Sequence, residues 1–135
     1  LRANQDRGVD LSRHRSIRGD VRHFLEGLDP GQRYRGIVID PPTAAAAGRH
    51  FWSVKQDLEP LLRSTIDRLE DAGTLLVTQN RAGPALGLDR VLEAILEGST
   101  RRIDRLVAAP AGSDHPSRPG FPEGDPFEGW LVTLR

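Results

Sequence analysis

A chain of 135 residues is long enough for one modest α/β domain with a real core, so a single unit over residues 1–135 is expected. A net charge of zero with 28% charged residues fits a soluble globular protein and argues against a disordered tail, and no apolar run approaches the roughly 20 residues of a membrane helix. With no cysteine, the chain can hold no disulfide, no thiolate metal site and no cysteine nucleophile; no metal and no membrane are expected, and the cytoplasm is the default location.

There is no methionine either, and the opening Leu1-Arg2-Ala3-Asn4-Gln5 reads as the tail of a helix, which suggests a piece of a longer protein. Lys55 is the one lysine; the other basic residues are arginines. Arginine suits bidentate phosphate and base contacts, although a GC-rich coding sequence would enrich it equally well. With balanced charge, an RNA-binding surface has to be a local patch.

Along the chain, residues 1–8 look helical and stop near Gly8. Arg15 to Arg18 reads as a short strand around Ile17, closed by Gly19-Asp20. Val21, Phe24, Leu25 and Leu28 then recur at helical spacing, with Asp20 placed to cap the helix. Asp29-Pro30-Gly31 makes a turn. Residues 36–40 form a strand whose continuous apolar character suggests burial on both faces, as in a parallel sheet.

A small-residue loop is expected from Ala44 to Gly48, then an approach segment with Phe51 and Trp52. The next helix runs from about Val54 to Leu69, with Leu58, Leu61, Leu62, Ile66 and Leu69 on one face. Pro60 is awkward there unless the helix starts close to Glu59. Gly73 to Gln79 reads as a third strand. Leu88, Val91, Leu92, Ile95 and Leu96 line another helix, ended by Gly98. Ile103 to Ala109 and Trp130 to Leu134 complete the strands, separated by a Pro- and Gly-rich loop of a length that is usually functional or disordered.

Alternating elements of this kind imply an α/β fold around a mainly parallel sheet. The last two strands, with no helix between them, should pair antiparallel at one edge. Ligands on such sheets sit at the carboxyl ends of strands, where Asp20, Asp40 and Gln79 fall. A strand that ends in Asp40 and runs into Pro41-Pro42 holds its carboxylate rigidly at a pocket edge.

These motifs resemble the class I S-adenosylmethionine (SAM)-dependent methyltransferases, and more closely the ribosomal-RNA large-subunit methyltransferases of the cytosine-5 and guanine-N7 group. The resemblance rests on Gly19-Asp20-Val21-Arg22-His23-Phe24-Leu25, on Asp40-Pro41-Pro42-Thr43, on Val54-Lys55-Gln56-Asp57 with Leu61-Leu62, and on Ala72-Gly73-Thr74-Leu75-Leu76-Val77-Thr78-Gln79-Asn80. Asp114-His115-Pro116 and Phe121-Pro122-Glu123-Gly124 are similar to the closing motif of the cytosine-5 members. The motifs occur in the family's order across nearly the whole chain.

The resemblance implies a Rossmann-like class I methyltransferase fold that lacks its first two strands in this chain, with an antiparallel closing strand. The family's first strand, its glycine-rich cofactor loop and the acidic residue for the ribose would lie upstream of Leu1. The missing N-terminal half is therefore an expected partner, without which the strand near Ile17 has no neighbour. The piece alone is expected neither to fold fully nor to bind cofactor well.

For individual residues the resemblance implies a cofactor role for Asp20, accepting from the adenine amino group, with the Val21 N–H near the ring nitrogen. Asp20 is equally a simple helix cap, and both roles are compatible. Asp40 would sit beside the transferred methyl group and orient the target base, or else cap a turn; Pro41 and Pro42 shape that wall. Gln79 stands where the cytosine-5 members carry a cysteine nucleophile, so covalent chemistry by that route is excluded for this chain. Thr78-Gln79-Asn80 looks more like the guanine-N7 type, in which a ring nitrogen needs only alignment. The third-strand and closing motifs thus point to different branches.

Family members often carry an aromatic residue after the prolines, where this chain has Ala44. Phe51 or Trp52 could stack on the base instead, or pack in the core. Thr43, Phe51, Arg81 and His115 are candidate substrate contacts, and Arg49 and Arg118 candidate phosphate contacts. His115 and Glu123 read equally as structural hydrogen-bonders, and the arginines as solvated charge. The expected function is a SAM-dependent methyltransferase acting on RNA, on a base of 23S ribosomal RNA, with N-methylation favoured. One rival is a non-catalytic RNA-binding or assembly module; another, a nucleotide-dependent oxidoreductase, needs a Gly-x-Gly-x-x-Gly that is not here.

Overall fold

The computed structural model describes residues 7–47, 50–80, 87–99, 101, 103–108 and 127–135. The expected helix over residues 1–8 and the long loop before the last strand fall almost wholly outside them. A short 3-10 turn, Leu11–Arg13, leads to helix α1, Val21–Glu26; its cap is Asp20, whose carboxylate accepts from the Arg22 N–H at 2.9 Å. Strand β1 spans Tyr34–Ile39, a hairpin of β2, Ala44–Ala47, and β3, His50–Ser53, follows, and helix α2 covers Val54–Ile66. Strand β4, Leu69–Asn80, helix α3, Leu88–Glu97, strand β5, Ile103–Ala108, and strand β6, Phe127–Leu134, complete the described order.

The main sheet has strand order β1-β4-β6-β5. β1 and β4 are parallel, and β6 runs antiparallel to both β4 and β5, so β1, β4 and β5 share one direction. The α/β class and the antiparallel closing strand are as expected. The last two strands form the expected antiparallel pair at one edge, with β6 beside β4 and β5 outermost.

Register builds the core. Ile37, Leu75 and Val132 align across three strands, and Ile39, Val77 and Trp130 form the next row. Against these rows pack Leu25 of α1, Leu58, Leu61, Leu62 and Ile66 of α2, and Leu88, Leu92, Ile95 and Leu96 of α3, in one buried cluster. The amphipathic spacing of both longer helices is thus used as read.

Among the described residues nothing covers the opposite sheet face. Val38, Leu76 and Leu131 align on it, and Val38 is 68% exposed. This corrects the expectation that β1 is buried on both faces, because a continuous apolar run does not reveal which face other elements cover. The strand expected around Ile17 does not form, and Ile17 is 47% exposed. Among the described residues no strand lies beside it to take up its backbone groups, the condition a strand requires.

Three local expectations also change. Ala44 to Ala47, read as a loop, pairs with His50–Ser53, because Trp52 anchors that hairpin in the core. Helix α2 begins at Val54, so Pro60 lies inside it, with its ring on the exposed side and no N–H to offer the Gln56 carbonyl. The helix ends at Ile66, before Leu69, which opens β4 beside Tyr34. The register slips there, with Ala72 at φ 60°, and a Cβ on Gly73 would meet the Glu70 carbonyl at 2.8 Å. Gly73 is fixed by that close approach. Among the described residues no helix is long and apolar enough to cross a membrane, and no group of three metal-ligating side chains occurs.

Candidate functional site

Asp40 leaves the carboxyl end of β1, and the parallel register that sets Ile39 against Val77 brings it beside Thr78. The Thr78 hydroxyl donates to Asp40 Oδ1 at 2.7 Å. Pro41 is buried and Pro42 exposed. The Pro42 carbonyl accepts from the Trp52 indole N–H at 2.8 Å, and the Thr43 carbonyl accepts from the Val54 N–H at 3.1 Å. The exit from β1 is therefore stiffened by two prolines and pinned to the hairpin and to the start of α2.

A cleft of about 280 Å³ lies against this wall, lined by Val21, Val38, Asp40, Pro41, Pro42 and Trp52 among others. Val21 is the first residue of α1, so the two most specific motifs, twenty residues apart in sequence, meet around one space. The Val21 N–H has no partner among the described residues, as the first donor of a helix usually lacks one. Asp20 accepts at Oδ1 from the Arg22 N–H at 2.9 Å and Arg22 Nε at 3.1 Å, and at Oδ2 from Arg22 Nη2 at 2.6 Å. The guanidinium pair holds the Asp20 carboxyl well below the usual carboxylate range, so it is an anion and an acceptor only.

Arg22 reaches further. Its Nη1 lies 3.3 Å from Asp57 Oδ1, and its guanidinium carbon lies over the Trp52 ring, 5.8 Å from the centre. Asp57 Oδ2 in turn accepts from the Ser53 N–H at 2.8 Å, closing the first turn of α2. Sequence reasoning passed over Arg22, Asp57 and Thr78 as site residues. Strand alternation could have flagged Thr78, which faces away from buried Leu75 and Val77. Nothing local could have paired Arg22 with Asp57.

The remaining candidates are dispersed. Gln79 is 3% exposed, on the helix-covered face of β4, and its Oε1 has no hydrogen-bond partner among the described residues. It does not line the Asp40 cleft; Thr78 is the neighbour that touches Asp40. Asn80 ends β4 opposite Phe127. Thr43 is exposed beside the wall. Trp52, 7% exposed, packs in the core, whereas Phe51, one position earlier and on the other side of β3, is 64% exposed. Arg49, Arg81, His115, Arg118 and Glu123 lie outside the described residues.

No family model matches the chain. Over 71 residues, 50% of its length, it is 35% identical to ribosomal RNA large subunit methyltransferase K/L of Methylococcus capsulatus, the match covering 10% of that protein. Among solved structures, SMU.776, assigned as a methyltransferase and complexed with SAH, gives a TM-score of 0.76 at 19% identity, over 96% of this chain and 34% of that one. A protein assigned as a SAM-dependent methyltransferase from Streptococcus mutans gives 0.67 at 17% identity, over 96% and 33%. The SAM-dependent methyltransferase from Agrobacterium tumefaciens gives 0.52 at 14% identity, over 85% and 36%. The chain spans about a third of each of these three solved structures and a tenth of the curated relative. The chain has the fold of the SAM-dependent methyltransferases and is similar, over half its length, to a ribosomal RNA large-subunit methyltransferase.

Proposed function

We propose that this chain supplies the later part of the catalytic domain of a SAM-dependent methyltransferase that modifies a base of 23S ribosomal RNA. The observation that carries the reading is the meeting of the Asp20-Val21 helix start and the Asp40-Pro41-Pro42 wall around one cleft. The donor set fits the cofactor's purine. Asp20 offers an anionic acceptor to an exocyclic amine, and the adjoining Val21 N–H offers a donor to a ring nitrogen. That is the complement of the adenine edge.

When bound, the cofactor supplies an electrophilic methyl group on a sulfonium sulfur. The chain's own part is alignment. Asp40, oriented by Thr78, accepts from an amine of the target base, while the proline wall and the locked Pro42 carbonyl fix its plane. A ring nitrogen of the target would bring its own lone pair to that methyl group, so the chain would need to supply alignment and no nucleophilic side chain. With no cysteine in the chain, N-methylation is the favoured outcome. Gln79 and Asn80 remain candidates for closing the base side, as do Thr43, Phe51, Arg81 and His115. The half of the domain that precedes Leu1 in this reading completes the cofactor site.

Calorimetric titration of SAM tests the proposal, using the full-length protein that carries this chain, its Asp20→Ala variant and the 135-residue piece. Binding by the full-length protein, lost in the variant and absent from the piece, supports a cofactor site completed from upstream. Transfer of labelled methyl to 23S rRNA then tests the substrate. A full-length protein that ignores SAM yet binds RNA is instead a non-catalytic module derived from a methyltransferase.

A further inference from the structure

We propose that Arg22 is the positioning residue of the purine end of the site, fixing the Asp20 carboxylate as a single directed acceptor and tying it to the Pro42 wall. The inference rests on the cofactor reading above and extends it to a residue that reading does not use.

A free carboxylate has about four acceptor positions and turns about its own bond. Asp20 has neither freedom. Oδ1 is occupied twice, by the Arg22 N–H and Nε, and Oδ2 once, by Nη2. One position remains, on Oδ2. The bidentate fork fixes the carboxylate plane, since both oxygens are held by one planar group. A single remaining acceptor selects a ligand bearing an N–H donor and rejects a carbonyl, which would set two lone pairs against each other.

The fork is itself anchored. Asp57 of α2 takes Nη1, and the guanidinium rests over Trp52, whose indole N–H holds the Pro42 carbonyl. Asp20, Arg22, Trp52 and Pro42 thus form one contiguous set, so the acceptor on Oδ2 is placed relative to the wall that bears Asp40. Lysine at position 22 would keep a charge there but lacks the planar fork that fixes the plane of both oxygens.

The test compares two probes, S-adenosylhomocysteine and its 6-oxo analogue S-inosylhomocysteine, titrated calorimetrically into the full-length protein and its Arg22→Gln and Arg22→Lys variants. The wild type is expected to prefer the amino ligand by about 10- to 100-fold, the cost of a mismatched hydrogen bond at a partly solvated site. Both variants should reduce that preference to less than about threefold, as a carboxylate free to turn can accept instead from the N1–H that the 6-oxo ligand carries. A purely structural role would lower both affinities by the same factor and leave the ratio intact. An unchanged ratio in Arg22→Lys, or a wild type without preference, overturns the inference alone. A wild type that binds neither probe overturns the cofactor reading with it.

Discussion

The Thr78 hydroxyl donates to Asp40 Oδ1 at 2.7 Å, so the carboxylate that ends β1 takes its orientation from the neighbouring strand. Thr78→Val keeps the β-branched shape and strand preference and removes only the hydroxyl. The bond is solvent-exposed, so stability should fall by no more than about 1 kcal/mol. Methyl transfer by the full-length protein should fall about tenfold, because a turned carboxylate no longer aligns the base. Steady-state rates measured beside denaturant midpoints separate the two effects. An unchanged rate would mean that Asp40 is aligned without Thr78.

Trp52 has two separable roles, filling the core and holding the Pro42 carbonyl. Trp52→Phe keeps most of the ring and removes the N–H, and should cost about 1–2 kcal/mol. Trp52→Ala also empties the site and should cost about 3–5 kcal/mol. A Trp52→Phe variant as stable as the wild type in chemical denaturation would show that the hydrogen bond contributes nothing beyond packing.

How far the fold was legible follows from where each signal resides. The helix face of Leu58, Leu61, Leu62 and Ile66 is a periodicity, visible in sequence and realised in the core. The Asp20 cap is equally local. Val38 was misjudged because an apolar run reports hydrophobicity, whereas exposure depends on what covers each face. Four alanines have little preference for a strand, and those at Ala44–Ala47 pair because Trp52 anchors the partner strand in the core. The site divides in the same way. Asp40, Pro41 and Pro42 announce themselves by an abrupt change of residue type, while Arg22 meets Asp57 only after two helices dock.

The Asp20–Arg22 pair should leave a signature in acid. The folded carboxyl titrates well below its ordinary value of 3.8, chiefly through the Arg22 hydrogen bonds. A lowered folded value means that the unfolded chain takes up the proton first as pH falls. The stabilisation is therefore complete above about pH 5 and is lost progressively as pH drops through 3.8 and below. Asp20→Asn should narrow the stability gap between pH 7 and pH 3, read as unfolding free energies of the full-length variants. A gap as wide in the variant as in the wild type would assign the acid response to other carboxylates.

Phe51 offers a way to separate the RNA substrate from the rest of the reading. Its ring is 64% exposed and projects from β3 on the side away from Trp52, so removing it disturbs no core contact. Under the proposed function an exposed ring on this hairpin is suited to stacking on a base, and such a stack is worth about 1–3 kcal/mol. Phe51→Ala should therefore weaken binding of a 23S rRNA fragment about tenfold while leaving the thermal midpoint and SAM affinity of the full-length protein unchanged. Phe51→Leu, apolar but without a π face, should lose nearly as much. If leucine restores binding, the position contributes only apolar area. If alanine binds RNA as the wild type does, Phe51 is not a base contact, and base stacking must come from a residue outside this hairpin.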